Sequence, residues 1–216
     1  MKIMDYKLLI IVKLLFLTTF LNAQEVGYSK FNDIETFKKK SKETAELTNT
    51  IESSFTQEKF LSFLSEKVTS YGKFYFKNPN KLRWEYTKPF DYAIIINNEK
   101  MIIKNEKKEN KFDLKSNKMF KEINEILVGC VNGSLLFDNE KFKTVLFENK
   151  EFVLAQLTPQ SKTINDFIKT INIYIDKKDM TVSKIKMIEP TEDYTIISFK
   201  DKKINKGIKD EIFNIR

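Results

Sequence analysis

Residues 55–98, FTQEKFLSFLSEKVTSYGKFYFKNPNKLRWEYTKPFDYAIIINN, constrain the fold more than any other stretch of the chain. In Lys81-Leu82-Arg83-Trp84-Glu85-Tyr86 a two-residue period sends Leu82, Trp84 and Tyr86 to one side of a strand, with Arg83 and Glu85 on the other. The same period pairs Phe74 with Phe76, and Ile94 with Ile96. Pro79 between two asparagines marks a turn, and Asn97-Asn98 suits the positive φ angles of a tight hairpin. Connections this short join antiparallel strands. The resulting sheet has a bulky aromatic face that either a protein layer or an apolar guest must cover. Arg83 is expected on the opposite face, paired across strands.

Strands are expected at residues 55–61, 68–76, 82–86, 92–97, 100–104 and 111–114, then at 142–147, 152–157, 171–175, 182–188 and 194–199, about eleven in all. Two stretches instead have helical spacing. At residues 31–48 the apolar positions are Phe31, Ile34 and Phe37, continued by Ala45 and Leu47. At residues 119–131 they are Met119, Phe120, Ile123, Ile126, Leu127 and Cys130, with Gly129, Asn132 and Gly133 marking the end. The fold class that follows is α+β and mainly β, an incomplete antiparallel barrel closed by helices. No repeat and no linker divides it, so residues 24–216 read as one domain.

The first 23 residues read as an address. Lys2 and Lys7 precede an apolar run over residues 8–21, and Leu21-Asn22-Ala23 offers a cleavage site before Gln24. The run is shorter than the roughly 20 residues of a spanning helix, and Lys13 interrupts it. Export to the periplasm is the expectation. The net charge of +8 then points to anionic lipid or protein rather than nucleic acid, since no basic block exceeds Lys38-Lys39-Lys40 and no glycine-rich phosphate loop is present.

Catalysis finds little support. Without histidine the chain lacks the usual general base and the commonest metal ligand, so neither an enzyme, a metal site nor a cofactor is expected. A single cysteine excludes an internal disulfide, and Cys130 reads as a small core residue in Ile126-Leu127-Val128-Gly129-Cys130-Val131. Glu122 and Glu125 share one helix side with Lys121, which reads as a solvated surface. For the aromatic face two readings stand side by side. Phe74, Phe76, Leu82, Trp84, Ile94 and Ile96 either form a dry core beneath Phe31, Ile34 and Phe37, or they line a cavity.

The order of several short motifs resembles the outer-membrane lipoprotein carrier (LolA) family over nearly the whole chain after residue 23. These are Phe55-Thr56-Gln57-Glu58-Lys59, Gly72-Lys73-Phe74, and Pro79 with Leu82-Arg83-Trp84-Glu85-Tyr86. Leu157-Thr158-Pro159, Asp193-Tyr194-Thr195 and Asn205 with Phe213 follow. The resemblance implies an unclosed, strongly curved sheet with a helical lid over an apolar cavity. It implies binding of lipoprotein acyl chains by Phe74, Phe76, Leu82, Trp84, Tyr86, Ile94, Ile96, Ile173 and Met187. The lid would be formed by Phe31, Ile34, Phe37, Ile123, Ile126 and Leu127. A monomer is implied that takes acylated lipoproteins from an inner-membrane extraction complex to an outer-membrane acceptor. The alternatives on the same fold are a non-transporting sensor or scaffold, and a carrier of another lipid-like product. Where the family has an arginine before the turn proline, to latch the lid, this chain has Asn78.

Overall fold

A computed structural model describes residues 27–105, 107–116, 118–137 and 140–214, except for the side chains of 118–120, 123, 127 and 132. The proposed leader, residues 1–23, lies outside the described residues, as do the side chains of Met119, Phe120, Ile123 and Leu127.

Twelve strands form one antiparallel sheet: β1 (Ser29–Lys30), β2 (Thr50–Leu61), β3 (Glu66–Lys77), β4 (Lys81–Lys88), β5 (Tyr92–Asn97), β6 (Lys100–Asn105), β7 (Glu109–Asp113), β8 (Phe142–Glu148), β9 (Phe152–Pro159), β10 (Thr170–Asp176), β11 (Val182–Ile188) and β12 (Tyr194–Ile204). Their order is β1-β8-β9-β10-β11-β12-β2-β3-β4-β5-β6-β7. Two meanders, β2–β7 and β8–β12, therefore meet at one seam, where Phe55 faces Phe199 and Gln57 faces Ile197. The edges β1 and β7 do not pair, so the sheet stays open. The edge β7 is short and alternates Glu109, Lys111 and Asp113, which discourages a further strand.

This topology explains where the helices lie. The chain leaves β7 at one edge and re-enters at β8, next to the other edge, so its connection must cross the whole sheet. Helix α2 (Lys118–Asn132) and the 3₁₀ turn Ser134–Phe137 make that crossing. Helix α1 (Ile34–Leu47) likewise carries the chain from β1 to β2 in the middle of the sheet. A short helix, α3 (Lys162–Asn165), links β9 to β10.

Several boundaries differ from the sequence expectation. Helix α1 starts at Ile34, because Asp33 caps it by accepting from the Thr36 N–H at 3.2 Å. Phe31 precedes the helix and donates its N–H to the Leu146 carbonyl. Strand β2 begins five residues earlier than expected, at Thr50, since Ile51 and Ser53 are also inward and buried. Strand β12 continues to Ile204 past an irregularity between Lys200 and Lys203. Asn98 does take the left-handed conformation in the β5–β6 hairpin, and Gly133 does so at the end of α2.

The outer face is partly covered as well. A second 3₁₀ turn, Asp210–Phe213, straps across β4 and β5, burying Phe213 against the sheet. Lys77 donates to the Ile208 carbonyl and to Asp210, Lys81 donates to Asp210, and Asn97 donates to the Phe213 carbonyl. Arg83 points outward, as expected, but its partner is not on a neighbouring strand. It forks onto Glu85, two residues along β4, with both bonds at 3.0 Å, and also donates to the Ile212 carbonyl.

Candidate functional site

Strand register alone assembles the inner face. Ile51, Phe76, Leu82, Ile96, Met101 and Phe112 stand opposite one another across six strands. The next row runs Ser53, Phe74, Trp84, Ile94 and Ile103, and the one after it Phe55, Gly72, Tyr86 and Tyr92. Across the seam, Ile197, Ile185, Ile173 and Ala155 continue the surface, beside a row of Thr195, Met187, Ile171 and Leu157. All nine residues expected to bind acyl chains therefore share one face.

They are not equally accessible. Phe74, Phe76, Leu82, Trp84, Ile96 and Ile173 are each no more than 3% exposed, whereas Tyr86, Ile94 and Met187 are half-buried. Packing divides them into two clusters. Trp84 centres one, with the rings of Phe55 and Phe74 each at 5.2 Å and that of Phe199 at 5.9 Å. Ile173 belongs to the other, which is built on β8–β11. Met187 and Phe199 pack against both and join them.

The helices roof this surface. Along α2, Ile126 and Cys130 pack into the Ile173 cluster, while Val128 and Val131 pack against the Trp84 cluster. Helix α2 thus packs on both clusters at once. Burial pushes the Cys130 thiol up to about 12. Helix α1 contributes Phe37 and Ser41, one turn apart, with Phe31 against Phe37 edge-on at 5.5 Å. Ile34 is 39% exposed and Leu47 70%, so the apolar side expected of this helix is only partly its contact side. The reason is the 3₁₀ turn Ser134–Phe137, against which α1 packs and which fixes its rotation.

Beneath the helices, gaps of about 20 and 10 Å³ lie where Ile51 and Val131 meet the β10–β11 turn. A recess of about 540 Å³ lies beside α2 rather than under it. Its lining is mixed, with Leu114, Val128 and Leu135 beside Asn80, Asn98 and Glu125, and Glu99 at its edge pairs with Lys115 at 2.7 Å. Among the described residues four buried polar atoms have no hydrogen-bond partner, namely Trp84 Nε1, Asn124 Oδ1, Ser41 Oγ and Thr144 Oγ1. Three of these side chains lie on α1, on α2 or in the aromatic cluster. The Tyr86 hydroxyl donates to Gln57 at 2.8 Å, and burial, with Tyr92 beside it, pushes that phenol up to about 12. Among the described residues no cluster of His, Cys, Asp or Glu is placed to hold a metal.

Asn78 sits in the exposed β3–β4 turn, and its backbone N–H donates to the Asn49 carbonyl at 2.8 Å. It thus meets the exit of α1 through its backbone. A second asparagine stands at that place, named in the sequence only as part of a family-like motif and given no role there. Asn205, in the left-handed conformation, accepts at Oδ1 from the N–H groups of Asn49 and Thr50 and donates from Nδ2 to the Leu47 carbonyl. One side chain closes the last turn of α1 and starts β2. The available signal was Asn205 within the turn Asn205-Lys206-Gly207 after a strand, a place where asparagine favours positive φ.

The family model described as outer membrane lipoprotein carrier protein LolA matches residues 46–216. Among curated proteins none matches. Among solved structures, an uncharacterised conserved protein from Thermus thermophilus superposes with a TM-score of 0.52 at 8% identity, covering 86% of this chain and 95% of that one. A putative outer membrane lipoprotein-sorting protein domain from Vibrio parahaemolyticus gives 0.48 at 10% identity, covering 83% and 95%. The lipoprotein LppX of Mycobacterium tuberculosis gives 0.46 at 7%, covering 81% and 96%.

Proposed function

This chain belongs to the outer membrane lipoprotein carrier protein LolA family, and from that premise we propose that it carries the acyl chains of lipoproteins between its sheet and its helices. In this reading Met1–Ala23 is removed on export and the protein works in the periplasm. It receives acylated protein from an inner-membrane extraction complex and releases it to an outer-membrane acceptor. The observation that supports the reading most is the division of labour along α2. One helix packs on both apolar clusters at once, with Ile126 and Cys130 on one and Val128 and Val131 on the other, so its displacement would uncover both together.

The physics of carriage requires a structure of this kind. Each acyl CH₂ taken from water is worth about 0.8 kcal/mol, so acyl chains cannot cross an aqueous space uncovered. An empty apolar cavity is also unfavourable, because the atoms lining a void lose their contacts. A sheet face that α2 and α1 fill when empty, and that acyl chains fill when the helices lift, satisfies both conditions. Phe74, Phe76, Leu82, Trp84, Tyr86, Ile94, Ile96, Ile173 and Met187 would then touch cargo. Phe31, Phe37 and Ile126 would move with the lid, and the turn at Asn78, with Asn205, would hold the end of α1.

Mass spectrometry of what co-purifies with the protein from the periplasm tests the proposal. Acylated polypeptide is the expected result. Free lipid alone would make the protein a carrier of another lipid-like product, and no ligand at all would favour a sensor or scaffold.

A further inference from the structure

Four large apolar side chains protrude from one end of the sheet. Phe63 and Leu64, in the β2–β3 turn, are 76% and 49% exposed. Phe90, in the β4–β5 turn, is 80% exposed, and Phe167, between α3 and β10, is 64% exposed. Register places them together. Leu61 pairs with Glu66 at the tip of β2–β3, Phe60 with Tyr194, Tyr194 with Ile188, and Ile188 with Thr170. Phe90 follows on the same end but is set back along β3, where Lys88 faces Tyr71.

The turns that carry Phe63, Leu64 and Phe167 are fixed in place. The Ser62 N–H and hydroxyl both donate to Asp193, Lys169 pairs with Glu192, and Lys59 pairs with Glu189 at 3.5 Å. Ile164, 6% exposed, accepts at its carbonyl from the N–H groups of Phe167 and Ile168. There the backbone is tied down while the side chains of Phe63, Leu64 and Phe167 stand in water, an arrangement that contributes nothing to the fold.

We infer that this end of the sheet docks on the surface of a lipid bilayer, with Phe63, Leu64, Phe90 and Phe167 entering the interface between head groups and acyl chains. The rings stand on separate turns with Ser62, Ser65, Asp91 and Asp166 between them, so they offer knobs rather than a groove. A soft partner accepts such knobs one by one, whereas a protein surface would need a matching pocket for each. The charges agree with an anionic surface. Glu189, Glu192 and Asp193 are engaged within the rim. Glu66, Asp91 and Asp166 form no ion pair among the described residues, but neither do Lys67, Lys88, Lys107, Lys108 and Lys162, which outnumber them on these turns. Lysines near an anionic leaflet add attraction. The inner face is also least covered on this side, where Tyr86, Tyr92, Ile94 and Met187 are half-buried.

The inference does not rest on the identity of the cargo, and its test uses none. Cys130 is the only cysteine and is buried, so under native conditions an environment-sensitive fluorophore such as NBD labels an introduced cysteine alone. Phe63→Cys, Phe90→Cys and Phe167→Cys are made in the full chain, with Lys178→Cys, in the β10–β11 turn at the opposite end, as the control. With vesicles of phosphatidylethanolamine and phosphatidylglycerol, emission should rise severalfold and shift to the blue at the three tips and stay unchanged at 178. Replacing the other two phenylalanines by serine should lower the rise at the third. No change at the tips, or an equal change at 178, would overturn the inference. So would a rise without vesicles that grows with protein concentration, since a second copy of the chain would then cover this end.

Discussion

The ring of Phe55 lies directly over the backbone of Gly72 on the neighbouring strand. A Cβ at position 72 would come within 2.6 Å of that ring and 2.0 Å of the Glu85 carbonyl oxygen. The first contact involves a packed aromatic and the second rigid backbone, so neither can yield cheaply. Gly72→Ala should therefore lower stability by about 2–4 kcal/mol, read from chemical denaturation. Gly207→Ala, where nothing lies within 4 Å, should leave the midpoint nearly unchanged. Equal effects would show that Phe55 does not need the bare strand.

The side chain of Asn205 holds three backbone groups at the end of α1, and losing it should loosen that helix first. Asn205→Gly keeps the left-handed backbone but removes the bonds, so a loss of about 1 kcal/mol is expected, with faster amide exchange near Ala45–Thr48. At Asn78, whose side chain is exposed, Asn78→Ala should do almost nothing. Asn78→Arg places a longer donor beside the same exit and should slow exchange in α1. Unchanged exchange would mean the β3–β4 turn is no latch in this protein.

Acid should affect the outer strap through Glu85. The side-chain hydrogen bonds from Arg83 are the largest influence on Glu85, and its carboxyl is held below the ordinary 4.5 although partial burial opposes them. A depressed folded value means the stabilisation is complete above 4.5 and disappears as pH falls through the folded value. The pair is partly solvated, so the effect should stay below about 1 kcal/mol. Glu85→Gln should flatten the stability profile between the two values. A mutant as acid-sensitive as the parent would remove Glu85 from the account.

Cys130 reports on the lid because it lies on the sheet side of α2 with its thiol pushed up to about 12. Ellman's reagent should react very slowly with the protein alone. An acylated peptide should speed the reaction severalfold if α2 leaves the sheet, while the same peptide without acyl chains should not.

Much of this architecture was legible in local sequence. Leu82, Trp84 and Tyr86 alternate with Arg83 and Glu85 because one side of β4 meets apolar groups, so the inner face could be read before any contact was known. The turns at Asn98 and Gly133 were legible because few residues tolerate positive φ. The rotation of α1 was not. Ile34 and Leu47 are exposed because the helix rests on Ser134–Phe137, a turn some ninety residues away whose sequence carries no helical period. One partner of Arg83 lies on a strap from the other end of the chain, and the role of Asn205 depended on a contact more than 150 residues distant. Contacts of this range leave no periodic trace. Register placed the nine proposed binding residues on one face, but which of them remain open to a guest depended on where α2 crosses.

The most direct test of the carrier account is the fluorescence of Trp84, the only tryptophan, which is 3% exposed in the centre of the aromatic cluster. The protein is titrated with a triacylated peptide and, separately, with the same peptide lacking its acyl chains. A saturable change in emission with the acylated peptide alone is the predicted result. Identical responses to both peptides, or none to the acylated one, would contradict it and leave the inner face as a sealed core.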